Sequence, residues 1–273
     1  MRASAENIWS VPAYLPYLQP PLNSKSVAAA ERTLGYKLPG EYLALLRKQN
    51  GGYIRFSLRN SPHRRICGIG PLFPSLLNVD WREAQEYVPF KLDGLIPFDG
   101  DGHWHLCLDY RKSRSHPSIT YADVECAHQK KVASSFGEYL HKLRFSVEDE
   151  LFLPSVSDID EVVNQLTRKL RRKVLRDEWA YGYLCYRFSL GTAQDPEWLW
   201  IAPNCVTRGF VRPNDARFNE LKDLMQDKAD RFPNLPPRSY IVTVTKGARA
   251  KSLNAFAQLG LSLSSLRDAI LDE

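Results

Sequence analysis

Cysteine is scarce and unpaired in this 273-residue chain: Cys67, Cys107, Cys126, Cys185 and Cys205 are odd in number, widely spaced and contain no CxxC pair. A disulfide framework or a thiolate zinc site needs closer or paired spacing. Neither is expected, and the thiols read as reduced in a cytoplasmic setting. Missing too is any run near the roughly 18 apolar residues of a membrane helix. The opening MRASAENIWS lacks the apolar centre of a secretory signal peptide. Glycine-rich phosphate loops, the Rossmann fingerprint, HExxH and the nucleophile elbow are absent as well. No catalytic residue, cofactor or resident metal is therefore assigned, and a non-enzyme is the expectation.

What is present is an ordinary globular composition, 44% apolar and 25% charged, in a length that suits two domains. The formal charge of +6 is spread evenly, with 19 Lys/Arg against 16 Asp/Glu in residues 1–154 and 18 against 15 in residues 155–273. An even, mild excess is not a basic face, and only the cluster from Arg168 to Arg176 is dense enough to be an electrostatic feature.

Residues 1–26 read as a proline- and aromatic-rich arm laid on the first domain, because prolines at 12, 16, 20 and 21 exclude helix while Trp9, Tyr14 and Tyr17 favour burial. A first helix is predicted from a cap at Ser24 or Ser26 to Gly35, and a second from Pro39, with Tyr42, Leu45 and Leu46 on one face, to Asn50-Gly51-Gly52. Alternation predicts a strand over Tyr53–Leu58, and short elements follow at Ile66–Ile69 (strand) and Trp81–Tyr87 (helix), the polar stretch 59–65 being a loop. Leu95 to Phe98, the turn Asp99-Gly-Asp-Gly102 and the alternating Trp104, Leu106 and Leu108 form a hairpin signature. A strand at Ile119–Val124 and a helix carrying Phe136, Tyr139, Leu140 and Leu143 close a domain spanning 27–150, its core elements lying within 27–143.

Glu148 to Glu150 and Leu153-Pro154-Ser155 mark the expected boundary. Beyond it lies a smaller α+β domain over 155–273. Its first helix is capped by Ser157 and carries Ile159, Val162, Val163, Leu166, Leu170 and Val174 as a stripe. Strands are predicted at Tyr181–Leu190, Trp198–Ala202, Val206–Val211 and Tyr240–Thr245, and helices at Asp215–Arg231 and Leu263–Leu271. No internal repeat relates the two halves.

Glu31, Leu34-Gly35, Leu38-Pro39, Tyr42, Leu45 and Asn50-Gly51-Gly52 resemble the opening helices of the SMI1/KNR4 family, part of the SUKH superfamily. Ile69-Gly70, Leu95-Ile96-Pro97-Phe98 with the acidic glycine turn, Leu106-Cys107-Leu108-Asp109, and Val132 to Phe136 with Tyr139-Leu140 follow in the family's order. The resemblance covers 27–143; residues from 155 onward resemble nothing recognised. It implies an α+β fold, a mixed or antiparallel sheet flanked by helices. It also implies service as a binding protein, in bacteria often an immunity protein that neutralises a toxin, with regulatory scaffolds as the other branch. Leu38, Tyr42 and Phe136 have a sufficient explanation as core, so the partner surface is expected elsewhere.

Three clusters carry side-chain chemistry. Asp99, Asp101, His103, His105 and Asp109 bring two histidines and carboxylates to one hairpin, a composition that would suit a divalent metal. A solvated turn whose aspartates bond their own backbone is the favoured reading. Glu86, Asp93, Asp99, Asp101 and His103 are the candidate partner-binding residues, through a local negative patch on a basic protein. Cys126 with His128, or Cys107 with His105, is adjacent in sequence without a nucleophile turn, and structural cysteine is favoured. Finally, Arg168, Lys169, Arg171, Arg172, Lys173 and Arg176, followed by Trp179, Tyr181, Tyr183 and Tyr186, form a candidate polyanion contact. A solvated helix face with positive charge at its C-terminus is favoured over it.

Overall fold

Alternating apolar and polar residues from Leu95 onward build an antiparallel sheet in sequential order: β1 (Leu95–Gly100), β2 (Trp104–Asp109), β3 (Ser118–Asp123) and β4 (His128–Ala133). This computed structural model describes residues 2–78, 80–145, 150–178, 184–225 and 228–271. They form two compact units, residues 2–146 with 211–222, and residues 147–210 with 223–273. Both are mixtures of helix and antiparallel sheet, as an α+β reading requires. Among the described residues no helix is long and apolar enough to cross a membrane.

In the first unit, helix α1 (Ser24–Leu34) begins at Asn23, whose side chain accepts from the Ser26 amide while the Ser26 hydroxyl returns the bond to the Asn23 amide. The cap is thus one residue before Ser24 and three before Ser26, the predicted caps. Gly35 closes the helix at φ 77°, a left-handed conformation that suits glycine. Helix α2 (Gly40–Lys48) follows Pro39 and buries Tyr42, Leu43, Leu45 and Leu46. Helix α3 (Phe136–Lys142) is capped by the Ser135 hydroxyl, which accepts from the Glu138 amide, and buries Phe136, Tyr139 and Leu140.

Those helices meet the sheet through an aromatic cluster. Phe98 of β1 lies 5.7 Å from Phe136 and 5.4 Å from Tyr139, ring centre to ring centre, and Tyr42 lies 5.3 Å from Phe136. Tilted and edge-on contacts of this kind add roughly 0.5–1.5 kcal/mol each beyond area burial. The strand predicted over Tyr53–Leu58 is broken into Gly52–Tyr53 and Phe56–Ser57, which pair with different partners, although Ile54, Phe56 and Leu58 are all buried as the alternation requires. The helix predicted at Trp81–Tyr87 is a single 3-10 turn, Ala84–Tyr87. Strand β4 has no counterpart among the predicted elements, because its polar His128, Gln129, Lys130 and Lys131 hide any apolar alternation.

The arm is tied to this unit along its length. Ser10 donates to the Tyr53 carbonyl, Arg55 Nε to the Trp9 carbonyl, and Gln19 to the Asn50 carbonyl. Tyr14, Tyr17 and Tyr53 cluster with ring centres 4.7–5.7 Å apart.

The second unit holds a six-stranded antiparallel sheet. Its strands are β5 (Leu151–Leu153), β6 (Val174–Glu178), β7 (Leu184–Ser189), β8 (Trp198–Pro203), β9 (Tyr240–Val244) and β10 (Ser264–Ser265), in the spatial order β6-β7-β8-β9-β5-β10. Helix α4 (Ile159–Leu170) packs Val163, Leu166 and Leu170 with Phe188, Leu199, Ile201 and Val242. Helix α5 (Arg249–Gln258) adds Ala255 and Phe256 to the same core, and helix α6 (Leu266–Leu271) ends the described chain.

Several expectations change here. Leu151–Leu153, which lies between the two boundary marks Glu148–Glu150 and Leu153-Pro154-Ser155 and has no predicted element, is an internal strand, since three consecutive apolar residues buried on both sides lack the period-2 alternation of a half-buried strand. The first helix is capped by Asp158 instead of Ser157 and stops at Leu170, so Val174 belongs to β6. The helix predicted over Asp215–Arg231 reduces to a turn at Phe218–Leu221 and a 3-10 turn at Lys222–Met225, with Lys228–Ala229 extended and paired to Val206–Thr207. Helix α5 likewise has no predicted counterpart. The acidic residues Glu148 and Asp149, and Trp179, Tyr181 and Tyr183, lie outside the described residues.

Candidate partner-binding surface

The hairpin singled out in the sequence is taken apart by the register of β1 and β2. Strand β1 runs through Gly100, with a bulge between Pro97 and Asp99, so Asp99 belongs to the strand and its side chain is 5% exposed. Its Oδ2 lies 2.7 Å from Nδ1 of His63 and accepts from the amides of Arg64 and Arg65; Oδ1 accepts from Arg65 Nε at 3.1 Å. His63, fully buried, places Nε2 2.5 Å from the Tyr139 hydroxyl. Asp99 is therefore withdrawn from the candidate surface: its carboxylate is consumed inside the unit. The chain Asp99–His63–Tyr139 has the connectivity of a charge relay, yet burial pushes the Tyr139 phenol far up, so the hydroxyl keeps its proton.

The other hairpin residues point to separate tasks. Asp101 shapes the turn by accepting from the amides of His103 and Trp104 at 3.0 and 3.1 Å; these bonds outweigh its partial burial and hold its carboxyl below the usual range. His103 precedes β2, instead of sharing a strand face with His105, and its exposed ring lies 3.3 Å from Glu125. His105 packs edge-on against Trp81, and burial lowers its basicity. Asp109 is nearly buried, bound by Arg111 at 2.6 Å and by the Thr120 hydroxyl at 2.8 Å. Among the described residues no three His, Cys, Asp or Glu side chains gather as metal ligands. The carboxylates have been divided among amides, arginines, a buried histidine and a threonine.

Cys67, Cys107 and Cys126, the thiols of the first unit, are held protonated. Burial pushes Cys67 up to about 12 and raises Cys107 further. Exposed Cys126 is raised by the adjacent Asp123, whose carboxylate accepts the Cys126 amide. A nucleophile needs the reverse, a thiolate stabilised by positive charge.

Glu86 and Asp93 are exposed, on the segment between the core residue Leu76 and β1. That segment is anchored from beneath: Trp81 Nε1 donates to the Leu95 carbonyl at 2.8 Å, Val88 and Leu92 enter a small core with Leu95, Cys107 and Ala122, and Gln85 bonds Phe90 and Leu92. Asp93 pairs with Lys91 at 3.1 Å. Two exposed aromatics nearby in the chain, Phe73 at 78% and Tyr87 at 74% exposure, are not among the sequence-derived candidates. Nothing in a single sequence separates an exposed aromatic from a core one when the flanking residues alternate irregularly.

The basic run does not lie on one helix face. Helix α4 ends at Leu170, Arg171 turns left-handed at φ 51°, and Arg176 sits in β6, bound to Asp160 at 2.8 Å with its guanidinium over the Tyr186 ring. Arg168 lies 3.5 Å from Glu161. Lys169, Arg172 and Lys173 are exposed.

No curated protein and no solved structure matches the chain. Residues 21–142, from the end of the arm through α3, match the model of the SMI1 / KNR4 family (SUKH-1).

Proposed function

We propose that the protein is a non-catalytic binding protein, in its most specific form an immunity protein that neutralises a cognate toxin by covering its working surface. The observation that carries the reading is the use made of the residues shared with the family. Tyr42, Phe98, Phe136 and Tyr139 form the core, while Asn50 is 5% exposed and ties Ile69 and Pro20 together. These positions maintain a scaffold, which leaves outward side chains free to differ from one partner to the next. The relay-like constellation Asp99–His63–Tyr139 is closed to solvent and serves that scaffold. Occlusion needs no chemistry of the binder itself.

The alternative, a regulatory or nucleic-acid-binding role for residues 168–176, draws less support because the run is split between a helix end, a left-handed residue and a strand. Co-expression with candidate toxin domains, beginning with any encoded beside the gene, tests the main reading. Restored growth and co-elution on gel filtration are expected; growth arrest with separate elution would reject it.

A further inference from the structure

Phe73 and Tyr87 are the two most exposed large apolar side chains among the described residues. Each sits on backbone that buried groups hold in place. Around Phe73, the Gln19 side chain makes three bonds: Nε2 donates to the carbonyls of Leu72 (2.5 Å) and Pro74 (2.9 Å), and Oε1 accepts the Leu72 amide at 3.0 Å. Gln19 is itself 6% exposed, and a Cβ on Gly70 would stand 2.3 Å from its Oε1, so residue 70 must be glycine for the clamp to close. A buried amide therefore fixes the backbone on both sides of a ring that projects into water. Tyr87 ends the 3-10 turn whose inner side is pinned by Trp81 and Val88.

Exposed apolar rings on rigid backbone lose little conformational freedom on binding, and such rings dominate the energetics of protein interfaces. The charge beside Tyr87 differs from that of the chain. Asp80 is taken by Arg82 and Asp93 by Lys91, which leaves Glu83 and Glu86, on the same turn as Tyr87, without an ion-pair partner among the described residues. A protein of net charge +6 thus presents uncompensated negative charge next to an exposed tyrosine.

We propose that the turns at Phe73 and at Glu83–Tyr87 dock a protein partner whose apolar pocket is rimmed by lysine or arginine, Phe73 and Tyr87 filling apolar sites and Glu83 and Glu86 meeting the basic rim. This rests on the partner-binding reading and names the surface and the partner's charge. Opposite charge would steer encounter, and the rings would slow release.

The test uses the full chain carrying p-benzoylphenylalanine at position 73, at 87, or at the exposed control position 130, irradiated in the native cell. Adducts at 73 and 87 but not 130, with a protein of basic surface, are expected. That protein, purified, binds the wild-type chain with salt-sensitive affinity; Phe73→Ala and Tyr87→Ala each weaken it about tenfold or more, and the pair Glu83→Lys/Glu86→Lys slows association about tenfold. Absence of adducts at 73 and 87, equal labelling at 130, an acidic partner, or affinities unchanged by the substitutions overturns the proposal. If a co-expressed toxin forms a complex and no adduct forms, this surface fails and the immunity reading stands. If the captured partner meets every criterion and is not a toxin, this surface stands and the immunity reading fails.

Discussion

His63 Nδ1 lies 2.7 Å from Asp99 Oδ2 with both side chains closed to solvent, joining a residue of a polar loop to the end of the edge strand β1. Through Nε2 the same imidazole reaches Tyr139 of α3, so one ring ties loop, strand and helix. Buried polar groups of this kind matter mainly through the cost of breaking them. Asp99→Asn, which strips the charge facing Arg65, is expected to destabilise the first unit by about 3 kcal/mol or more. Tyr139→Phe, which leaves one imidazole nitrogen unpaired, is expected to cost about 1–3 kcal/mol. Amide exchange of β1 in the full chain checks the order; equal or negligible losses would contradict it.

Asp109 provides the clearest pH dependence. Burial alone would raise its carboxyl, but Arg111 and Thr120 hold it below the usual 3.8. A folded-state pKa depressed below the unfolded value contributes stability above the unfolded pKa, and loses it as the pH falls through the folded one. The difference in urea midpoint between wild type and Asp109→Asn is therefore expected to be full at pH 7 and to shrink progressively below about pH 4. A gap that persisted unchanged at pH 2 would show that the pair is not the cause.

Leu166 is fully buried on the inner side of α4, among Phe188, Leu199 and Ile201 of the second sheet. Leu166→Ala is expected to destabilise that unit by about 2–5 kcal/mol, from lost transfer energy and the residual cavity. Exchange protection of α4 and β8 should fall with it, and unaltered protection would show that the helix is held otherwise.

Arg168→Ala/Arg171→Ala/Arg172→Ala is expected to leave binding to RNA and DNA unchanged and only weakly salt-dependent, because the run is divided between structural elements. A large loss of affinity, with a reduced salt slope, would restore the polyanion reading.

Much of the first unit is legible in residue order alone. The stops at Gly35 and Asn50-Gly51, the buried faces of α2 and α3 and the hairpin around residues 95–109 are local consequences of capping, turn chemistry and periodicity. Asp99 shows where that legibility ends. Its turn-like neighbours, Gly100 and Gly102, describe a solvated loop equally well, and only the extension of β1 through Gly100 takes the carboxylate inside. His63 is hidden in the same way, since a histidine between serine, proline and two arginines has the composition of exposed loop.

In the second unit the stripe on α4 is visible in the sequence, but its end is not: Leu170 and Val174 are spaced as one helix face, and Val174 leaves that face because it pairs with Phe188. Sequence by itself determined the fold class, the family resemblance of residues 27–143 and most apolar faces, because those depend on residue type and short-range spacing. Tertiary structure alone decided which polar residues face outward. Asp99 and Gln19 are consumed within the fold, while Glu83, Glu86, Phe73 and Tyr87 are left exposed, and that division rests on contacts between residues dozens of positions apart.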